Sequence, residues 1–203
     1  MHEEILTTEQ VELLPLLAEF KREFFLVGGT AIALQIGHRR SIDFDMFKLN
    51  PLRHNAIISK ISNHKFQTSI TRRVAEQLNV TINNVKFTFY QYPFNIPAQL
   101  AYNNFIRMPD LKHLAAMKAY ALGRRSKWKD YVDLFFLIKH HFSIPEISTK
   151  ANELFKDMFS EKLFRAQLSY FEDIDFHEPV EYLVPAISED EIKEFLIDVA
   201  TDI

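Results

Sequence analysis

The sequence contains no cysteine, which excludes disulfides, thiolate zinc sites and thiol nucleophiles and fits a reducing compartment. No window approaches the roughly 20 consecutive apolar residues that a membrane-spanning helix needs. The opening Met1-His2-Glu3-Glu4 lacks the basic leader and apolar core of a signal peptide. The expectation is a cytoplasmic protein that makes no membrane contact. Excess charge is lacking as well: a formal net charge of -3 gives no global attraction for polyanions, so nucleic acid would have to meet a local basic patch. Internal repeats and low-complexity segments are absent, which excludes solenoids and disordered tails.

What is present is a chain of 203 residues with 47% hydrophobic content, enough to bury a core. Its 19 phenylalanines are expected mainly in the core and between helices rather than as base-stacking platforms. Thr7-Thr8-Glu9-Gln10 reads as a capped helix start, followed by Val11, Leu14, Leu17 and Phe20 at helical spacing. Phe24 to Val27 is a short buried strand, Gly28-Gly29 breaks it, and Thr30 to Ile36 is a helix closed by Gly37. A strand follows over 42–47, a helix to about Asn63, and strands near 66–71 and 78–82. Asn83-Asn84 is a hairpin turn, because asparagine tolerates positive φ. Val85, Phe87 and Phe89 then alternate with polar neighbours, and Pro93 and Pro97 end the sheet. Helices are expected at 110–123, 129–141, 146–158 and 161–171, with a last one opened by Ser188 and Glu191. The organisation is α+β: a mixed sheet with flanking helices over 1–108, then a helical subdomain over 109–203 packed on it.

A strand that ends in two glycines and feeds a helix brings backbone N–H groups close to any anion placed there, and phosphate is the natural guest. The same turn also serves as plain chain geometry. It is neither a dinucleotide fingerprint nor a Walker A loop, since no third glycine and no Gly-Lys-Ser/Thr follows. Asp43-Phe44-Asp45 adds weight, because a period of 2 puts both carboxylates on one strand face and Ile42, Phe44 and Met46 on the other. Two like charges on a largely apolar strand are costly unless a cation compensates them. Mg²⁺ or Mn²⁺ would do so while bridging phosphate oxygens. An exposed strand end with two solvated acids is the alternative. Arg39 and Arg40 can reach triphosphate oxygens or neutralise the acids; His38 is read as a packing or capping residue.

The run FFLVGGTAIALQIGHRRSIDFDMF resembles the signature of the nucleotidyltransferase superfamily (polymerase-beta-like fold), and more closely that of AbiEii/AbiGii toxin-type proteins. The block AAMKAYALGRRSKWKDYVDLFFLIKHH resembles the helical motif of the same family, and the likeness extends weakly through LSYFEDIDFHEP to the end. The resemblance implies that Gly28, Gly29 and Thr30 contact a nucleoside triphosphate and that Asp43 and Asp45 ligate metal. In the second motif it implies catalytic roles for Lys118 and Asp130 beside Asp43 and Asp45, and nucleotide contacts from Arg125, Lys129 and Asp133, which would join Arg39 and Arg40 of the first run. Read without it, Lys118 is a snorkelling surface lysine, and Asp130 and Asp133 are a solvated helix start that pairs with Lys129 and Arg125.

The implied reaction moves a nucleotidyl group to an RNA, protein or small-molecule acceptor. The implied setting is a toxin–antitoxin or phage-defence system with an antitoxin partner. One departure stands out. Where related sequences place a third carboxylate, this chain has Thr88, a poorer metal ligand and no general base near neutral pH. Activity is therefore expected to be reduced, supplied by another acid, or lost; in the last case the fold serves as a nucleotide- or partner-binding module. An acid-x-acid phosphatase of the haloacid dehalogenase type is disfavoured, because it wants Thr or Val where Phe47 stands.

Overall fold

The computed structural model describes residues 1–125 and 127–202. The chain forms two compact units, Met1–Asp110 and Leu111–Ile203. Among the described residues no helix is long and apolar enough to cross a membrane.

The first unit opens with a 3-10 turn, Glu3–Ile5, and two short helices, α1 (Thr8–Glu12) and α2 (Leu14–Ala18). The expected capping box is present: the Thr7 side chain accepts from the Gln10 N–H, and the Gln10 side chain accepts from the Thr7 N–H. The chain breaks at Leu13, just before Pro15. One part of the helical pattern is reversed, since Val11 is 50% exposed while Gln10 is fully buried. Then follow β1 (Phe25–Val27), α3 (Gly28–Ile36), β2 (Phe44–Lys48), α4 (His54–Ser62), β3 (Thr68–Val74), β4 (Gln77–Ile82) and β5 (Val85–Gln91). Gly37 ends α3 with φ 68°, its N–H donating to the Ala33 carbonyl at 2.8 Å. Asn83 and Asn84 take the positive φ values that their turn requires.

The five strands make a mixed sheet in the order β1-β2-β5-β4-β3, with β2 and β5 parallel and the other neighbours antiparallel. One face carries the core: Phe44 pairs with Phe87 and Met46 with Phe89, and these are backed by Val80 and Leu78. The rings of Phe20 and Phe24 close on Phe89 at 4.9 and 5.3 Å, so phenylalanine serves packing here. Ile42, expected on that apolar face, is instead 51% exposed, because it lies before the first paired residue of β2. Edge strand β3 is exposed along nearly its whole length, and its register shifts between Ile70 and Arg72. Beyond Pro97 the chain forms a second small sheet, β6 (Leu100–Tyr102) with β7 (Ile106–Met108), that the sequence pattern did not announce.

The second unit is helical: α5 (Leu111–Ala121), α6 (Trp128–His140), α7 (Ile144–Phe155), α8 (Glu161–Leu168) and α9 (Glu189–Thr201). A capping box of Ser143 and Glu146 starts α7, and Ser188 caps α9 by accepting from the Glu191 N–H at 3.1 Å. Tyr120 stacks on Phe155 at 4.1 Å and Phe135 meets Phe195 edge-on at 5.1 Å. Helix α6 is buried at Trp128 and from Asp130 through Leu137, both aspartates included.

Candidate functional site

In the first unit the candidate residues converge on the turn between β1 and α3. Gly28 has φ +73°, and a Cβ placed there would meet Asp45 Oδ2 at 2.3 Å. The first glycine is thus required twice, by backbone conformation and by the approach of the Asp45 carboxylate. A Cβ at Gly29 would stand 2.5 Å from Arg39 Nη2 and 2.9 Å from Ser41 Oγ. The second glycine therefore admits Arg39, a buried guanidinium that also donates to the Arg40 carbonyl at 2.9 Å.

Thr30 is buried, and its hydroxyl lies within hydrogen-bond reach of the Asp43 carbonyl and of the Ser41 carbonyl and hydroxyl at 3.3 and 3.1 Å. It fastens the segment that leads into β2. Arg40 points its Nη1 at the carbonyls of Glu4, Ile5 and Leu6, at 3.3, 3.3 and 3.1 Å, and so closes the end of the opening 3-10 turn. Asp43 keeps its side chain 40% exposed, with the Lys86 ammonium 3.8 Å away. His38 is buried, in line with a packing residue.

Strand register places Thr88 directly opposite Asp45 on the parallel neighbour β5, with Asn79 next in the row on β4. Residues paired in this way share a face, so Thr88 stands beside Asp45 where a further carboxylate would complete the set. Among the described residues no group of three or more histidine, aspartate or glutamate side chains is arranged to hold a metal ion. The donor set offered by Asp43 and Asp45 is two carboxylates, one against the glycine turn and one open to solvent. Hard oxygen-seeking cations take such donors together with phosphate and water oxygens.

In the second unit α5 and α6 build a buried ionic cluster. Lys118 bridges two carboxylates, donating to Asp130 and lying 2.7 Å from Asp133, and all three side chains are almost wholly buried. Arg125 joins from the loop before α6, its Nε and Nη2 donating to the two Asp130 oxygens at 2.7 and 2.9 Å. The readings of Lys118 as a snorkelling surface lysine and of Asp130 and Asp133 as a solvated helix start are thereby corrected. The spacing of three on α6 does put both acids on one face, but that face is covered. Burial alone would push the Asp130 carboxyl up; the Lys118 ammonium and the Arg125 guanidinium outweigh it and hold it below the ordinary value. Lys129 is not part of the cluster. It pairs with Glu178 at 3.2 Å, as does Lys127 at 2.6 Å. The contacts of Glu178 and the bond from the Gln10 amide to the Ser41 carbonyl had no signature in the sequence, since both join residues far apart in the chain.

The comparisons with known proteins bear on both units. Residues 93–202 match the family described as nucleotidyl transferase AbiEii toxin, type IV toxin–antitoxin system; the matched span includes the ionic cluster and begins after the aspartate pair. The chain is similar to an uncharacterized protein of Aquifex aeolicus, 29% identical over 155 residues that cover 74% of this chain and 75% of that one. Its fold is like that of a putative nucleotidyltransferase from H. pylori, with a TM-score of 0.58 and 16% identity, covering 98% of this chain and 91% of that chain. It is also like MenT4, a nucleotidyltransferase toxin from Mycobacterium tuberculosis, with a TM-score of 0.59 and 15% identity, covering 96% of this chain and 82% of that chain. The fold is that of nucleotidyltransferases, and with more than half of its length matched the chain belongs to the AbiEii nucleotidyl transferase toxin family.

Proposed function

We propose that this protein moves a nucleotidyl group from a nucleoside triphosphate to a hydroxyl or phosphate acceptor on RNA, protein or a small molecule. It would do so in the cytoplasm, as the toxin-like component of a system that includes an antitoxin. The observation that carries this reading is the Asp45 carboxylate lying against Gly28, at the glycine turn that begins α3, with Asp43 two residues before it. Mg²⁺ or Mn²⁺ held by Asp43 and Asp45 would neutralise phosphate oxygens and draw them to the turn. The glycines let the chain approach the phosphates closely, and positioning with electrostatics supplies most of the rate. The acceptor oxygen bonds to the α-phosphorus as the bond to the bridging oxygen breaks, pyrophosphate leaves, and the acceptor proton passes to water. In the second motif Lys118, Asp130 and Asp133 form a prearranged ionic unit, and Arg125 and Lys129, less deeply buried, are assigned to the nucleotide.

The test is incubation with each α-labelled triphosphate, Mg²⁺ or Mn²⁺ and a cell extract, comparing the native chain with Asp43→Ala/Asp45→Ala. Label transfer that vanishes in the double variant supports the assignment; transfer that persists unchanged defeats it. A second reading, a binding module that keeps the fold without turnover, is favoured by Thr88 opposite Asp45. Its signature is metal-dependent nucleotide binding with no labelled product.

A further inference from the structure

Helix α1 buries the wrong residue for its pattern, and that inversion has a use. Gln10 is fully enclosed while its apolar neighbour Val11 faces solvent. The Gln10 amide has two engagements: its oxygen accepts from the Thr7 N–H at 3.1 Å, and its nitrogen donates to the Ser41 carbonyl at 3.0 Å, across 31 positions of sequence. Ser41 is two residues before Asp43, and the same short segment is gripped from the other side by the Thr30 hydroxyl. Arg40 ties the preceding residue to the carbonyls of Glu4 to Leu6. The chain over 40–43 is thus held at three points, two of them on the N-terminal segment.

We propose that Gln10 is a positioning residue for the aspartate pair: through Ser41 it fixes where Asp43 enters β2 and so sets the affinity of the pair for a divalent cation. The inference rests on the reading of Asp43 and Asp45 as metal ligands. A capping box alone needs only the side-chain oxygen of Gln10 and its backbone N–H, and glutamate serves that purpose equally well. The amide nitrogen is needed only for Ser41. The bond is half-shielded from water, and the Ser41 carbonyl has a longer contact from the Thr30 hydroxyl at 3.3 Å, so losing the amide removes the shorter of its two donors and lets the segment relax toward Thr30.

The experiment measures Mn²⁺ binding to the full chain at pH 7.5 from the electron paramagnetic resonance signal of free Mn²⁺, with no nucleotide present. Gln10→Glu keeps the capping box and removes the donor to Ser41; Gln10→Ala removes both; Thr7→Ala removes the cap and leaves Ser41 untouched. Gln10→Glu and Gln10→Ala are expected to weaken Mn²⁺ binding about threefold to tenfold, the size of one lost hydrogen bond. Thr7→Ala is expected to bind Mn²⁺ as the native chain does. Native affinity in Gln10→Glu overturns the proposal, as does equal weakening in Thr7→Ala, which would trace the effect to helix α1 as a whole. Should Gln10→Ala fail to fold, the comparison of Gln10→Glu with Thr7→Ala decides alone. Asp43→Ala/Asp45→Ala separates the two levels. If it abolishes binding while Gln10→Glu does not alter it, only the role of Gln10 falls; if it binds normally, the metal site itself is misassigned.

Discussion

Replacing Lys118 by methionine keeps most of the side-chain volume and deletes a buried ammonium that lies between Asp130 and Asp133. Asp130 retains Arg125 at 2.7 Å, but Asp133 loses the cation 2.7 Å away at a position with no solvent access. Breaking a buried pair by removing one partner costs about 3–5 kcal/mol. For a chain of this length each kcal/mol moves the melting temperature by about 2–4 °C, so Lys118→Met is expected to melt about 6–20 °C lower. Lys118→Met/Asp133→Leu removes the facing carboxylate too and is expected to regain most of the loss, since apolar replacement of a buried pair is often neutral. Circular dichroism melts at pH 7 read both variants. A single variant within about 2 °C of the native chain, or a double variant that falls further than the single one, would refute the energetic reasoning. The recovered double variant also separates fold from chemistry. It should still fail to transfer label, and normal transfer would leave Lys118 with a structural role alone.

Gly28→Ala is expected to abolish Mn²⁺ binding and to destabilise the chain by about 1–2 kcal/mol, because the new Cβ would adopt a left-handed conformation against the Asp45 carboxylate; titration and melting unchanged from the native chain would contradict this. Thr88→Asp sets a third carboxylate opposite Asp45 and is expected to raise metal affinity or label transfer; no change in either would mean that another group already fills that place. The Asp130 carboxyl titrates below its ordinary value of 3.8 in the folded chain, so its stabilising effect is complete above pH 3.8 and disappears as pH falls through the lower folded value. Acid unfolding of Asp130→Asn, followed by tryptophan fluorescence, should accordingly show a shallower dependence on pH below 3.8, and an identical slope would argue against the shift.

The glycine turn, the acid-x-acid strand and most helices were legible because each is written in neighbouring residues: Gly37 and Ser188 mark ends, and alternation marks β5. The small sheet of β6 and β7 was not, because three-residue strands between Pro97 and Pro109 offer no period to read. The ionic cluster was only half visible. Spacing on α6 put Asp130 and Asp133 together, whereas their burial depends on Lys118 arriving from α5, a long-range fact that local pattern does not encode. Gln10 shows the same limit from the other side. Its capping role is local and was read, but its bond to Ser41 spans 31 positions.

The irregular outer strand of the main sheet has its own consequence. An unpaired strand margin is a template onto which another chain can add. Here that margin is interrupted after Ile70 and carries the adjacent cations Arg72 and Arg73, so a second copy arriving in line would meet a broken hydrogen-bond ladder and a row of like charge. This margin therefore resists edge-to-edge addition of another strand, and straightening it with Arg72→Val/Arg73→Thr is expected to make it pair with a second chain, read as a rise in thioflavin-positive aggregate over the native chain.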